Sequence, residues 1–287
     1  MKTKLLSSYV NRKNNEAPLF TCELISDNHQ LYPYVDKRLK TVLDEMLNRD
    51  VRHVFFTGDL TNNGLSFQFQ SLFKLLDTYP FDYQFALGNH DTFHRFHEQS
   101  LRTNETMNSH VYRQHVYHKT NYDAISIYVL NTQKPQEDNI YFERNQLLWL
   151  EEQLANDHKP WKLILCHQPL ANSHPNSEDR TMHIGFQNAK LLSVLRKFKG
   201  IIYASGHLHN SYTLQSMCQV EDIVCINIPG FSKIDYGSKE LGIGVSLSFY
   251  HTFIWMSFTQ YAQHRMIDTV HYVYDKEKNC VLWDYPQ

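Results

Sequence analysis

The chain has 287 residues, 42% hydrophobic and 20% charged, with a formal net charge of −2 at pH 7. That composition excludes a disordered chain, and the charge disfavours a long nucleic acid as partner, because a polyanion held by its backbone needs a basic surface. No apolar run approaches the roughly 18 residues that span a bilayer, and the opening MKTKLLSSYVNRKNN offers only a Leu-Leu pair where a signal peptide carries an apolar core; no membrane and a cytoplasmic location are expected.

Residues 1–17 are an N-terminal extension whose order the sequence does not fix, and 18–287 read as a single domain without internal repeat or linker. The first apolar run, 19–25, predicts a buried strand that ends at SDNH (26–29). Leu39, Val42, Leu43, Met46 and Leu47 then recur at helical spacing before a second strand, 53–57, which ends at GDLTNNG (58–64). A helical pattern at Leu72, Phe73, Leu75 and Leu76 leads to a strand at 84–87 and to GNHD (88–91). Further strands at 125–131, 162–166 and 201–204 alternate with helical patterns around Leu147, Leu150 and Leu154 and around Leu191, Leu192, Val194, Leu195 and Phe198. The last two of these strands end at CHQP (166–169) and GHLH (206–209). Strand–helix–strand alternation implies right-handed crossovers and a sheet covered by helices. After residue 210, runs at 211–217, 223–228, 243–250, 252–260 and 268–274 are rich in Tyr, Phe, Val, Ile and Thr. They predict a second, more antiparallel sheet packed on the first.

Each of the five blocks stands at the end of an apolar strand, where loops distant in sequence converge on a ligand in open α/β sheets. Asp27 and His29 lie two apart in what reads as an extended stretch, so both can point to one side, and His207 and His209 repeat the device. Carboxylate and imidazole together suit Mn, Fe, Zn, Ni or Co. Asp59 is the carboxylate at its strand end and has two oxygens with which to bridge two cations. Asn89 offers a neutral carbonyl oxygen beside Gly88, and His90 is free to face substrate. Asp91 either holds the His90 ring or caps the turn. Any one of the 17 histidines is better read as a surface or satisfied core residue; the joint order of the blocks reverses that reading.

The pattern DxH, GDxxxxG, GNH[DE], a lone His and GHxH resembles the calcineurin-like metallophosphoesterase superfamily over about residues 20–230, and is most similar to its cyclic-nucleotide phosphodiesterase-like branch. The resemblance implies a four-layer αββα sandwich of two mixed sheets flanked by helices. It implies two divalent or mixed-valence transition metal ions, the first on Asp27, His29 and His209, the second on Asn89, His167 and His207, with Asp59 between them. His90 would contact the phosphate and help the leaving oxygen. Purple acid phosphatases carry a metal-binding Tyr where this chain has Asn62, which argues against a tyrosinate site. Serine/threonine protein phosphatases carry Asp-Arg-Gly where it has Asn62, Asn63 and Gly64.

The expected activity is hydrolysis of a small nucleotide or other phosphodiester, with cyclic nucleotides the first substrates to try, by in-line attack of hydroxide generated on the metals. A phosphomonoesterase and a metal-binding, non-catalytic scaffold are the alternatives, and a nuclease would need a basic groove. The irregular segments 92–120 and 168–187 follow site residues and are candidate pocket walls or lid; in them His94, His97, His174 and His183 either touch substrate or are ordinary loop histidines. His251, His264 and His271 read as structural. The aromatic content of 14% could stack a nucleobase, but Phe55, Phe56, Phe249, Phe253 and Trp255 sit in strand runs that packing explains. Five cysteines without CxxC spacing do not indicate a disulfide framework, and Cys166 draws notice only as the neighbour of His167.

Overall fold

The computed structural model describes residues 2–31, 37–92, 117–132 and 137–284. One sheet runs β13-β12-β11-β10-β1-β2-β3, in which β1 (Phe20–Ile25), β2 (His53–Thr57) and β3 (Asp82–Ala86) are parallel. Its other members are β10 (Ile243–Phe249), β11 (Phe253–Gln260), β12 (Arg265–Asp275) and β13 (Cys280–Asp284), all antiparallel. The second sheet runs β4-β5-β6-β7-β9-β8, built from β4 (His118–Asn121), β5 (Ile125–Val129), β6 (Trp161–Leu165), β7 (Ile201–Ser205), β8 (Met217–Val220) and β9 (Ile223–Asn227). Its inner strands β5, β6, β7 and β9 are parallel.

Period-2 alternation decides which side chain enters which layer. From β1 and β2, Cys22, Leu24 and Phe55 join Ile125, Ile127, Val129, Leu163 and Leu165 between the sheets. Ile25, Val54 and Phe56 turn the other way, onto α2 (Lys37–Asn48) and α3 (Ser66–Leu76). On the far side Tyr128, Ile164 and Tyr203 meet α5 (Arg144–Ala155) and α6 (Asn188–Leu195). Leu39, Val42, Leu43 and Met46 are fully buried at helical spacing along α2, each apolar side chain of that size contributing about 1.5–3 kcal/mol. The result is the expected four-layer αββα sandwich of two mixed sheets.

The division of strands between the sheets differs from the expectation. The antiparallel C-terminal strands β10–β13 extend the sheet of β1–β3, and β4–β7 begin the other with β8 and β9. The pairing of β1 with β10, Phe20 opposite Phe249, joins segments far apart in sequence, and local patterning carries no trace of it. The run at 211–217 is also mostly not strand, since Ser211 Oγ lies 2.5 Å from Thr213 Oγ1 and Leu214 N donates to Ser211 O, closing a turn before β8. Residues Lys2–Asn15 of the N-terminal extension form a helix, α1. Its Leu6 and Tyr9 pack on Phe253, Trp255 and Val273, and the Arg12 guanidinium lies 4.6 Å over the Phe253 ring.

Candidate metal centre

The five blocks converge at the carboxyl ends of the parallel strands of both sheets. Asp27 and His29 follow β1, Asp59 follows β2, and the short helix α4 (Asn89–Thr92) follows β3; His167 follows β6, while His207 and His209 follow β7. The stretch carrying Asp27 and His29 is not extended. Five of the seven expected ligands hold left-handed backbone: Asp27 (φ 56), His29 (φ 47), Asp59 (φ 49), His207 (φ 70) and His209 (φ 48). Asp and His tolerate that region better than most residues, and such strain gathers where surrounding structure enforces it. Two glycines allow the close approach. A Cβ at Gly88 would lie 2.0 Å from Asp59 Oδ1, and one at Gly58, itself at φ 111, would lie 2.4 Å from His167 Nδ1.

The donor atoms form two groups that meet at Asp59. In the first, ligand atoms of Asp27, His29, Asp59 and His209 all lie within 4.8 Å of one another. His209 Nε2 is 3.3 Å from Asp27 Oδ1 and 3.1 Å from His29 Nε2, and His29 Nε2 is 3.6 Å from Asp59 Oδ2. In the second, His167 Nε2 is 3.2 Å from Asp59 Oδ2, the His167 and His207 rings are 5.1 Å apart, and His207 Nδ1 is 3.1 Å from Asn89 Oδ1. His167 Nε2 is fully buried and, although close enough to Asp59 for an ion pair, is not aligned for a hydrogen bond to it. An orphaned buried nitrogen among carboxylates is the polar cost a cation would remove. These donors therefore fit transition-metal cations.

Outer partners select the nitrogens that face inward. A carbonyl can only accept, so His167 Nδ1 donates to Thr57 O (2.9 Å) and His207 Nε2 donates to Thr181 O (2.9 Å). His209 Nδ1 lies 2.9 Å from Asp235 Oδ2, which Lys233 Nζ also holds at 3.0 Å. In each ring the other nitrogen faces the cluster, an arrangement that orients metal-binding imidazoles. Asn89 Nδ2 donates to Glu137 O (2.9 Å), which turns Oδ1 toward His207. Thr57, Thr181 and Glu137 contribute carbonyls, which leave no mark in a sequence, and Asp235 sits in no motif.

Charge balance is set inside the cluster. Burial opposes ionisation of Asp59 and Asp27, but the surrounding histidines hold both far below the usual carboxylate range. Burial pushes His29 down to about 4 and, with help from His167, His207 to about 4 as well. For His167 burial acts in the same sense, yet the carboxylates of Asp59 and Asp27 overturn it and hold the ring at about 9. His209 is raised in the same way by Asp27 and Asp235 against its burial.

His90 stands beside this cluster. Its backbone N donates to Asp59 Oδ1 (3.0 Å), and its ring meets His29 edge-on at 4.7 Å. The ring is oriented by Asn62 O, 2.8 Å from Nδ1, and not by Asp91. That corrects the first of the two readings of Asp91. Its carboxylate accepts from the backbone N of Leu60 (3.0 Å), Thr61 (2.8 Å) and Gly88 (2.9 Å) and from the Thr61 hydroxyl, tying two ligand loops together. Burial and the charge of Asp59 raise Asp91 to about 6.

The remaining loop histidines divide. His174 is buried, with Nδ1 3.0 Å from Ser173 Oγ and Nε2 3.7 Å from Cys218 Sγ, and His183 Nδ1 accepts from Gly185 N at 3.0 Å; these contacts shape the segment that presents Thr181. His94 and His97, with most of the expected wall at 92–120, lie outside the described residues. Burial raises the Cys166 thiol to about 12, which leaves it a core residue beside His167.

A four-layer sandwich with carboxylates, imidazoles and an amide gathered at its strand ends marks the class of metal-dependent phosphoester hydrolases. The calcineurin-like phosphoesterase family matches residues 24–211, and the chain belongs to that family. It is 24% identical over 175 residues, 60% of this chain and 68% of the relative, to a protein described as a probable cyclic nucleotide phosphodiesterase from Ruthia magnifica subsp. Calyptogena magnifica. Its fold is similar to that of purple acid phosphatase PPD1 from yellow lupin (Lupinus luteus) seeds, with a TM-score of 0.65, 15% identity, and coverage of 90% of this chain and 54% of that one. The chain thus spans about half the length of the lupin protein. PhoD gives a TM-score of 0.66 at 11% identity, covering 95% of this chain and 73% of that chain. At these identities the two structures speak for the fold alone. No described helix is long and apolar enough to cross a membrane.

Proposed function

We propose that the chain is a dinuclear phosphodiesterase acting on a small nucleotide or another small phosphodiester. The observation that carries this reading is the position of Asp59, whose carboxylate is within 3.6 Å of His29 Nε2 on one side and 3.2 Å of His167 Nε2 on the other. The relative described as a probable cyclic nucleotide phosphodiesterase supports a diester substrate. Asp27, His29 and His209 would hold one cation and Asn89, His167 and His207 the other. Bound there, Mn, Fe, Zn, Ni or Co would acidify water and neutralise phosphoryl oxygens.

The protein's own part is orientation and proton handling. Thr57 O, Thr181 O and Asp235 fix the rings of His167, His207 and His209, so the donor nitrogens need no reorganisation. Asn62 O keeps the proton of His90 on Nδ1. The outward Nε2 is then the atom that, once protonated, donates to a departing alkoxide, a role worth about 10²–10⁴-fold in rate. Asp91 holds the β2 and β3 loops at fixed separation, which keeps His90 beside Asp59.

The test is hydrolysis of bis-p-nitrophenyl phosphate and p-nitrophenyl phosphate by chelator-treated protein with Mn²⁺ added back. Diester turnover restored by Mn²⁺ is the expected result and leads to a cyclic-nucleotide panel. Monoester turnover alone would make the protein a phosphatase, and two bound metals without turnover of either would make it a scaffold.

A further inference from the structure

Away from the metal cluster, two cysteines face each other across the outer hairpin of the second sheet. β8 is the edge strand, and Cys218 stands opposite Cys225 of β9 in their antiparallel register. Opposed residues in such a ladder keep Cα atoms about 4.5–5.5 Å apart, inside the roughly 4.4–6.8 Å that a disulfide spans. Their Cβ atoms, about 4.5–5.5 Å apart, must close toward the roughly 3.5–4.5 Å of a bridge. Closure is therefore feasible but strained, and strained bridges are the readily reduced ones.

The neighbourhood singles out Cys218 among the five free thiols. The facing Cys225 thiol and His174 Nε2, 3.7 Å from the sulfur, draw Cys218 below the ordinary thiol range. Cys22, Cys166 and Cys280 are pushed up by burial, and Cys225 by the Cys218 sulfur and burial. Cys218 is 9% exposed on the edge strand against 1% for Cys225, so of the pair it is the one nearer a dissolved oxidant.

The pair also connects to the metal centre. The Cys218 thiol contacts Ser173 O, and Ser177 Oγ accepts from His174 N (2.9 Å) and donates to His174 O (2.7 Å), closing the turn of residues 173–177. From that turn Asn176 Nδ2 donates to Asn210 Oδ1 (2.9 Å), and Pro175 O accepts from Asn210 Nδ2 (2.9 Å). Asn210 directly follows His209.

We propose that Cys218 and Cys225 are a peroxide-oxidised thiol pair whose disulfide loosens the His209 side of the metal centre. The Cys218 thiolate attacks one peroxide oxygen; the S–O bond forms, the O–O bond breaks, and hydroxide leaves and is protonated to water. Cys225 then attacks the sulfenic sulfur, its thiol proton passing to the departing hydroxide, which leaves as a second water. In total two thiols and one hydrogen peroxide give one disulfide and two waters, the two electrons passing from sulfur to oxygen. Bridging draws Cys218 toward Cys225 and away from Ser173, which releases the turn that anchors Asn210. The oxidation stands on its own geometry, whereas the coupling rests on the metal-centre reading.

Full-length, Mn²⁺-loaded protein is treated with hydrogen peroxide, freed of excess oxidant, alkylated and digested without reductant. The expected product joins the Cys218 and Cys225 peptides, two hydrogens lighter than their sum, with Cys22, Cys166 and Cys280 alkylated. Bound Mn²⁺ should fall and return with dithiothreitol, and Cys225→Ala should keep its metal through the same treatment. Alkylated Cys218 and Cys225 after peroxide would overturn the site. A bridge with unchanged metal content, or equal metal loss from Cys225→Ala, would overturn the coupling. Failure of the reduced protein to hydrolyse any diester would count against the phosphodiesterase reading and leave the peptide map unaffected.

Discussion

The two sheets bring unlike chemistry to the same site. Loops of the sheet containing β1–β3 supply both carboxylates, the Asn89 amide and one imidazole, His29, whereas loops of the sheet containing β5–β7 supply three imidazoles, His167, His207 and His209. Neither set is a complete centre. The acidic loops meet the histidine loops across the intersheet core, where Asp59 faces His167 and Asp27 faces His209. Metal binding is thereby linked to how the two sheets pack, because a shift of one against the other would part every such pair.

The sharpest way to break this pairing is Asp59→Asn, which keeps the shape and removes the charge shared by both groups. Metal-dependent hydrolysis should be abolished and metal stoichiometry should fall; wild-type turnover in this variant would sink the shared-carboxylate assignment. His90→Ala should leave both cations in place while slowing hydrolysis by about 10²–10⁴-fold, measured as kcat alongside metal content. Loss of metal from that variant would instead make His90 a ligand.

A weaker perturbation reaches the histidine half from outside. Asp235→Asn replaces the partner of His209 Nδ1 and should weaken metal affinity by about 10–100-fold, read by titration of chelator-treated protein. Unchanged affinity would show that the ring needs no such partner. The smallest effect is one of pH. In chelator-treated protein His167 is held at about 9, above its ordinary 6.5, so its ion pair with Asp59 adds stability that is full below pH 6.5 and is lost as pH rises through about 9. Cations displace that proton. The thermal midpoint of the chelated protein should therefore decline over this window more than that of the loaded protein, and parallel curves would contradict the balance described for Asp59 and His167.

The gathering of the seven candidate positions was legible because each stands where an apolar run stops, and strand ends converge. What holds them was not. Thr57, Thr181, Asn62 and Glu137 act through carbonyls, and Asp235 is a lone acid at no recognisable spacing. Asp91 follows His90 in sequence, which invited a pairing that the turn of α4 prevents by sending the carboxylate back to Leu60, Thr61 and Gly88. The layers followed from alternation in the strands and from the apolar stripes of the helices. Sheet membership did not, since the pairing of β1 with β10 depends on contacts that only the folded chain creates. Among its described side chains, the helix at Lys2–Asn15 buries Leu6 and Tyr9, too sparse a stripe to announce itself.

The left-handed backbone at Asp27, His29, Asp59, His207 and His209 also narrows the alphabet available there. Glycine, asparagine, aspartate and histidine tolerate that conformation best, and of these only glycine lacks a donor atom. Exchange among the other three therefore keeps the chain path while altering the hardness of the donor set. Such exchanges give this scaffold a route to a different ion preference without a new fold, while a β-branched residue at any of the five positions would be penalised twice, once in the backbone and once in the chemistry.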